Sequence, residues 1–192
     1  MIGITENRIR EEVAQSLSSK RWHHTLSVAE TAEGLAVLHG ADPVLARVAG
    51  LLHDYAREMA PDALLRTALH NGLEIDPVEA CEPLLLHGKV GAVMARERFG
   101  LTDPDLLAAI AQHITGAPGM TLLAAVVFLA DFIEPGRPYP ASAHARSAAQ
   151  SNLKQALLIT FDAVMSYVIA HGYLLHPWSV AARNELLDPR SI

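Results

Sequence analysis

A compact all-α, single-domain fold is what the 192-residue sequence predicts. Three observations predict it. Apolar residues recur at three- and four-residue spacing nearly from end to end. Alternating Val/Ile/Thr-rich stretches, the mark of half-buried strands, are scarce. Asp-Pro, Pro-Asp, Asn-Gly and His-Gly pairs cut the chain into helix-length segments, as caps and stops would.

Ile9, Val13 and Leu17 open an amphipathic first helix. A second runs from about Trp22 to Leu38, with Leu26, Ala29, Ala32 and Leu35 or Ala36 as its buried stripe and His39-Gly40 as its stop. Asp42 caps a third, Pro43 lies in its first turn, and His53-Asp54 fall near its C-terminal end. Pro61-Asp62 starts a short helix to about His70, ended by Asn71-Gly72, and Asp76-Pro77 starts another. His87 begins a helix to about Phe99, and Asp103-Pro104 one that ends near His113. Thr115 to Gly119 reads as a loop, Thr121 to Ile133 as a helix and Glu134 to Pro140 as a run of turns. A long helix from about Ser151 to His171 and a last one from about Pro177 to Leu187 close the chain.

Hydrophobic residues make up 51% of the sequence and charged residues 19%, enough for one sizeable core. The apolar runs read as short and broken, against the about 20 residues a membrane span needs. Charges in the first ten residues interrupt any apolar signal-peptide stretch, so a cytoplasmic location is expected. Net charge is −6 and no Lys/Arg stripe occurs, which argues against a nucleic-acid polymer as partner. The apolar composition is compatible with a homodimer. Cys81 is the only cysteine, which excludes an intrachain disulfide and a thiolate zinc site; it reads as inert packing.

The chemistry concentrates in polar residues set in apolar helices. His24 lies early in the second helix, and His53-Asp54 follow Ala-Gly-Leu-Leu. His87 follows three leucines, His113 ends an apolar helix, and Asp131 interrupts Val126 to Ile133. One buried histidine is usually a hydrogen-bonded core residue. Four histidines and two aspartates on five helices would each need a separate partner unless a cation gathers them. Imidazole with carboxylate suits Fe, Mn, Co, Ni or Zn. His23, His39, His70, His144 and His171 read as surface or helix-end residues, and His176 before Pro177 as a cap.

The order His…His-Asp…His…His…Asp resembles the HD-domain metal phosphohydrolases. The resemblance is closer still to the YqeK-type bacterial symmetrical diadenosine-tetraphosphate hydrolases. It is carried by His24–Ala32, Ala49–Glu58, Leu86–Ala92, His113–Met120, Leu129–Arg137 and His176–Leu187. Ile-Glu-Pro-Gly-Arg at 133–137 and His-Ile-Thr-Gly at 113–116 are its most specific parts. The resemblance implies one HD domain over 1–192, with a metal-binding core at about 20–137 and C-terminal helices at about 141–187.

It also implies roles. His24, His53, Asp54 and Asp131 would hold one metal, and His87 and His113 a second, with Asp54 bridging. Iron is the first expectation, with Mn, Co or Zn as alternatives. Asp54, His87 and His113 are assigned to catalysis. His23 stands where the family pattern is usually acidic, so His23 remains an alternative ligand to His24. Two metals about 3.5–4 Å apart can activate a water for in-line attack on phosphorus. Symmetrical cleavage of diadenosine tetraphosphate to two ADP is the implied reaction. The alternatives are a nucleotidase or phosphatase acting on another nucleotide, and a non-catalytic nucleotide-binding regulator. Arg57, Arg137 and Lys89 are the candidate phosphate cations. Thr115 and Gly116 would offer a hydroxyl and a free backbone N–H. Trp22 and Tyr139 are candidates for stacking or for packing.

Overall fold

Asp42, Asp76 and Asp103 each precede a proline, and each aspartate side chain accepts hydrogen bonds from backbone N–H groups of the following turn. These caps fix where helices begin. The computed structural model describes residues 2–188, with side chains from Glu6; Met1 and residues 189–192 of the expected domain lie outside the described residues. Among the described residues there are eleven α-helices and no strand. They are α1 (Ile2–Ser16), α2 (Ser19–His39), α3 (Pro43–Leu52), α4 (Pro61–His70), α5 (Pro77–Cys81), α6 (His87–Phe99), α7 (Pro104–Gln112), α8 (Leu122–Ile133), α9 (Pro140–Ala149), α10 (Leu153–Ala170) and α11 (Pro177–Leu187). A 3-10 turn over Pro83–Leu86 leads into α6.

The almost wholly apolar α8 is the central element, packed by α2, α3 and α7 on one side and by α9 and α10 on the other. The close packing of α2 on α3 depends on Gly50. A Cβ there would lie 2.6 Å from Ala29 Cα, a backbone atom that no rotamer change can move. Phe128 of α8 stacks on Phe161 of α10 with ring centroids 4.5 Å apart. A smaller apolar group of Ala56, Leu64, Ala68, Leu86 and Val90 seats α4 against α6.

The structure departs from the sequence reading at several points. The third helix stops at Leu52, and His53-Asp54 enter successive three-residue turns rather than continuing it. The second helix begins at Ser19, which moves His24 into its second turn. A helix also fills 140–149, where prolines suggest only turns; Pro140 occupies the first helical position, where its missing N–H costs nothing. Helix α10 has the length and apolarity of a span, with 18 residues at mean hydropathy 1.4. It carries Lys154 and Asp162, and it packs Ala156, Leu157, Thr160 and Phe161 inward. Cys81 is exposed, not packed, because α5 ends there on the surface.

Candidate metal centre

Three of the histidines occupy the same local position. His53 follows the last residue of α3, His87 follows the 3-10 turn, and His113 follows the last residue of α7. The final carbonyls of a helix have no partner within it. Each ring uses one of them: Nδ1 lies 2.7 Å from Gly50 O in His53, 2.6 Å from Leu84 O in His87 and 2.8 Å from Ile110 O in His113. A carbonyl only accepts, so Nδ1 carries the proton and Nε2 turns inward with its lone pair. His24 lies within α2 and has no such carbonyl available. Its Nδ1 meets Glu134 Oε1 at 3.1 Å instead.

The four Nε2 atoms converge on two carboxylates. Asp54 Oδ2 lies 3.3 Å from His53 Nε2 and 3.9 Å from His24 Nε2. Its other oxygen, Oδ1, lies 3.2 Å from His87 Nε2 and 3.9 Å from His113 Nε2. Asp131 Oδ1 stands 3.0 Å from His24 Nε2 and 4.0 Å from His53 Nε2. One carboxylate thus faces a different histidine pair with each oxygen. All six predicted ligands are gathered here. His23 is not: it is exposed, with Nδ1 on Ser19 O.

The electrostatics suit a cation. Burial opposes ionisation of Asp54, but the rings of His53, His87 and His113 outweigh it and hold its carboxyl well below the usual range. Burial is likewise overcome at Asp131 by His24, His53 and Arg137. Burial and the neighbouring rings of His53 and His87 push His113 down to about 3, so it is neutral at pH 7. In His53 burial favours the neutral ring, yet Asp54 and Asp131 move its pKa up. A bound cation competes with that proton. His53 Nε2 is wholly buried and has no hydrogen-bond partner among the described residues, which a ligand role would satisfy. Nitrogen and oxygen donors without sulfur fit the metals expected from the sequence.

The comparisons with known proteins agree with this donor set. The model of the HD domain matches residues 21–136. The chain belongs to the HD-domain family. This HD-domain chain is 35% identical over 175 residues to a symmetrical bis(5'-nucleosyl)-tetraphosphatase of Halalkalibacterium halodurans, covering 91% of this chain and 93% of that protein. It is 33% identical to one of the same description from Bacillus subtilis, covering 92% and 94%. A solved structure from Clostridium acetobutylicum, described as a predicted HD superfamily hydrolase involved in NAD metabolism, superposes with a TM-score of 0.93 at 36% identity. That superposition covers 96% of this chain and 98% of the other.

Around the HD-domain cluster stand cations and two clefts. Arg137 donates from Nη2 to Asp131 Oδ1 (2.6 Å) and from Nε to the Asp131 carbonyl (2.9 Å). Burial and nearby Arg21 lower the pKa of Arg57, while Asp54 and Asp131 act to raise it, which places Arg57 in the cluster's field. Tyr139 lines both clefts together with Arg137.

The structure does not bring every candidate to the cluster. Lys89 binds Glu79 (2.8 Å) and Glu74 O (3.0 Å) and lies over the Trp178 ring, so its charge is committed elsewhere. The Gly116 N–H is not free, because it closes a turn onto Gln112 O at 2.8 Å. The Thr115 hydroxyl donates to Gly116 O at 2.9 Å. Trp22 packs partly buried against the core, with Arg10 over its ring. His176 is the cap expected, accepting from Trp178 N.

Two residues escape the sequence reading. Arg21 Nη1 lies 2.9 Å from Asp54 Oδ2, yet in sequence it is one surface-helix cation among several. Glu134 orients His24, and its signal is its place three residues after Asp131 in an otherwise apolar segment.

Proposed function

We propose that this HD-domain protein is a dinuclear-metal phosphohydrolase that splits diadenosine tetraphosphate symmetrically into two ADP. The observation that carries the metal assignment is Asp54, whose two oxygens each face a separate pair of inward-turned Nε2 atoms. His24, His53, Asp54 and Asp131 would hold one ion. His87 and His113 would hold the second, with Asp54 shared. Iron is the proposed metal, with Mn, Co or Zn as substitutes. The substrate rests on the symmetrical tetraphosphatases that resemble this chain over nine-tenths of its length.

Bound ions of this kind acidify a water and neutralise charge on phosphoryl oxygens. The chain's own residues prepare for that chemistry. The carbonyls of Gly50, Leu84 and Ile110 fix three imidazoles in one tautomer, and Glu134 fixes the fourth. Arg137 and Arg57 stand beside the cluster to grip phosphates that the ions do not touch. The apolar helices around the centre exclude bulk water and strengthen each of these interactions.

The partner is a small nucleotide rather than a nucleic-acid polymer or a membrane, and the location is the cytoplasm. The exposed apolar residues Tyr167, Ile169, Tyr173 and Leu174 are compatible with a homodimer. The test is elemental analysis of protein purified without added metal, followed by chromatography of products from diadenosine tetraphosphate. ADP as the sole nucleotide product is expected. AMP with ATP, or no turnover by metal-loaded protein, overturns the reading.

A further inference from the structure

We infer that the apolar cavity between α8, α9 and α10 is a nucleoside site, which takes one base of the substrate and leads its phosphates past Arg137 to the His/Asp cluster. This rests on the proposed function for the identity of the phosphate chain. The cavity of about 400 Å³ has His113, Asp131 and Arg137 along its inner end. Pockets for small organic ligands fall in this size range and combine apolar walls with a few polar groups.

The lining decides which part of a nucleotide fits. Ile114, Phe128, Phe132 and Val164 form walls with no charge, and Arg137 is the only arginine or lysine among the lining residues. A second phosphate group would find no partner deeper in; a flat base would. Tyr139 and Tyr167 stand more than half exposed at the cavity. Tyr167 is already stacked on His171 with ring centroids 4.0 Å apart, which limits the freedom it loses when a base arrives. Thr160 spends its hydroxyl proton on Ala156 O at 2.9 Å, so toward a ligand it can only accept, as from an N–H of a base.

The cleft on the other side of Arg137 differs. It spans about 680 Å³ and is lined by Lys20, Arg21, His23 and Glu58, among others. The two clefts share Arg137 and Tyr139. A symmetrical substrate is therefore held asymmetrically: one base is buried in the apolar cavity, and the other half lies in a charged trough.

Two variants test this. Tyr167→Ala removes an exposed ring, and Ala163→Leu fills the cavity from its α10 wall. Circular dichroism melting establishes that each is folded. Affinities for ADP and for inorganic pyrophosphate are then measured by calorimetry on the metal-loaded protein. ADP affinity is expected to fall about tenfold, the scale of one lost base–aromatic stack, while pyrophosphate affinity stays within about twofold. Unchanged ADP affinity in both variants overturns the inference, as does equal loss of both ligands. Wild-type protein that binds ADP through this cavity but releases none from diadenosine tetraphosphate would sink the proposed function and leave the site standing. Full hydrolysis with ADP binding indifferent to both variants would sink the site alone.

Discussion

His24 Nδ1 lies 3.1 Å from Oε1 of Glu134, a residue 110 positions further along the chain. Glu134 is itself buried and holds the Gly136 N–H through its other oxygen. Its carboxylate reaches the cluster only through the imidazole, so it is a positioning residue. Glu134→Ala should weaken metal binding by about tenfold to a hundredfold, the usual cost of losing such an outer partner. Glu134→Gln keeps an acceptor oxygen and should recover part of that loss. Competition against a calibrated chelator reads both.

Asp54 is the one group facing all four histidines. Asn at this position keeps the shape but removes the charge and one of the two anionic oxygens. Asp54→Asn should therefore abolish metal loading and turnover together. Elemental analysis and product assay on one preparation decide it, and full metal content with full turnover would refute the dinuclear assignment.

Gly50 lets α3 lie against the α2 backbone, and its carbonyl also receives the His53 ring. Gly50→Ala forces the two helices apart, at about 1–3 kcal/mol for an overpacked core. A chain of this size should lose roughly 2–4 °C of melting temperature per kcal/mol. The same shift moves His53 relative to His24, so metal affinity should fall along with stability. Thermal melts with and without metal separate the two effects.

The helical architecture was legible because its punctuation is chemical: Asp42, Asp76 and Asp103 announce caps that the structure contains. The six cluster residues were legible because each interrupts an apolar run. Helix α9 was hidden by composition, since its Ala/Ser-rich stretch has no strong apolar stripe and its prolines resemble turns. Lys89 was misread because sequence gives its charge but not its partner, and Glu79 lies ten residues back on another helix. The Gly116 N–H was misread for the same reason. Its φ of +63° marks a turn that consumes the donor, and a Cβ there would strike the Phe161 ring at 2.6 Å.

Asp76 gives a pH-dependent prediction far from the cluster. Burial opposes its ionisation, but the N–H groups of Glu79 and Val78 and the His176 ring outweigh it and depress its pKa. A depressed carboxylate pKa stabilises the fold fully above the unfolded value of about 3.9 and loses that effect as pH falls through the lower native value. Asp76→Ala should cost about 0.5–2 kcal/mol at pH 7, as for other helix caps. The difference from wild type should shrink as pH drops below about 4. Urea titrations at several pH values measure it; a cost independent of pH would show that the charge plays no part.

Arg137 separates binding from chemistry. Its guanidinium bridges the Asp131 side chain and carbonyl, which ties the loop after α8 to the cluster. One planar group thus fixes a ligand and presents a charge where both clefts meet. Lysine keeps the charge but cannot fork between two acceptors. Arg137→Lys should therefore raise KM about tenfold, the scale of one charged hydrogen bond, with a smaller change in kcat. Arg137→Ala removes the anchor too, so it should lose metal affinity as well as substrate affinity. Steady-state kinetics beside metal titration distinguish these outcomes. Equal kcat loss in both variants with KM unchanged would place Arg137 in the chemical step rather than in phosphate binding.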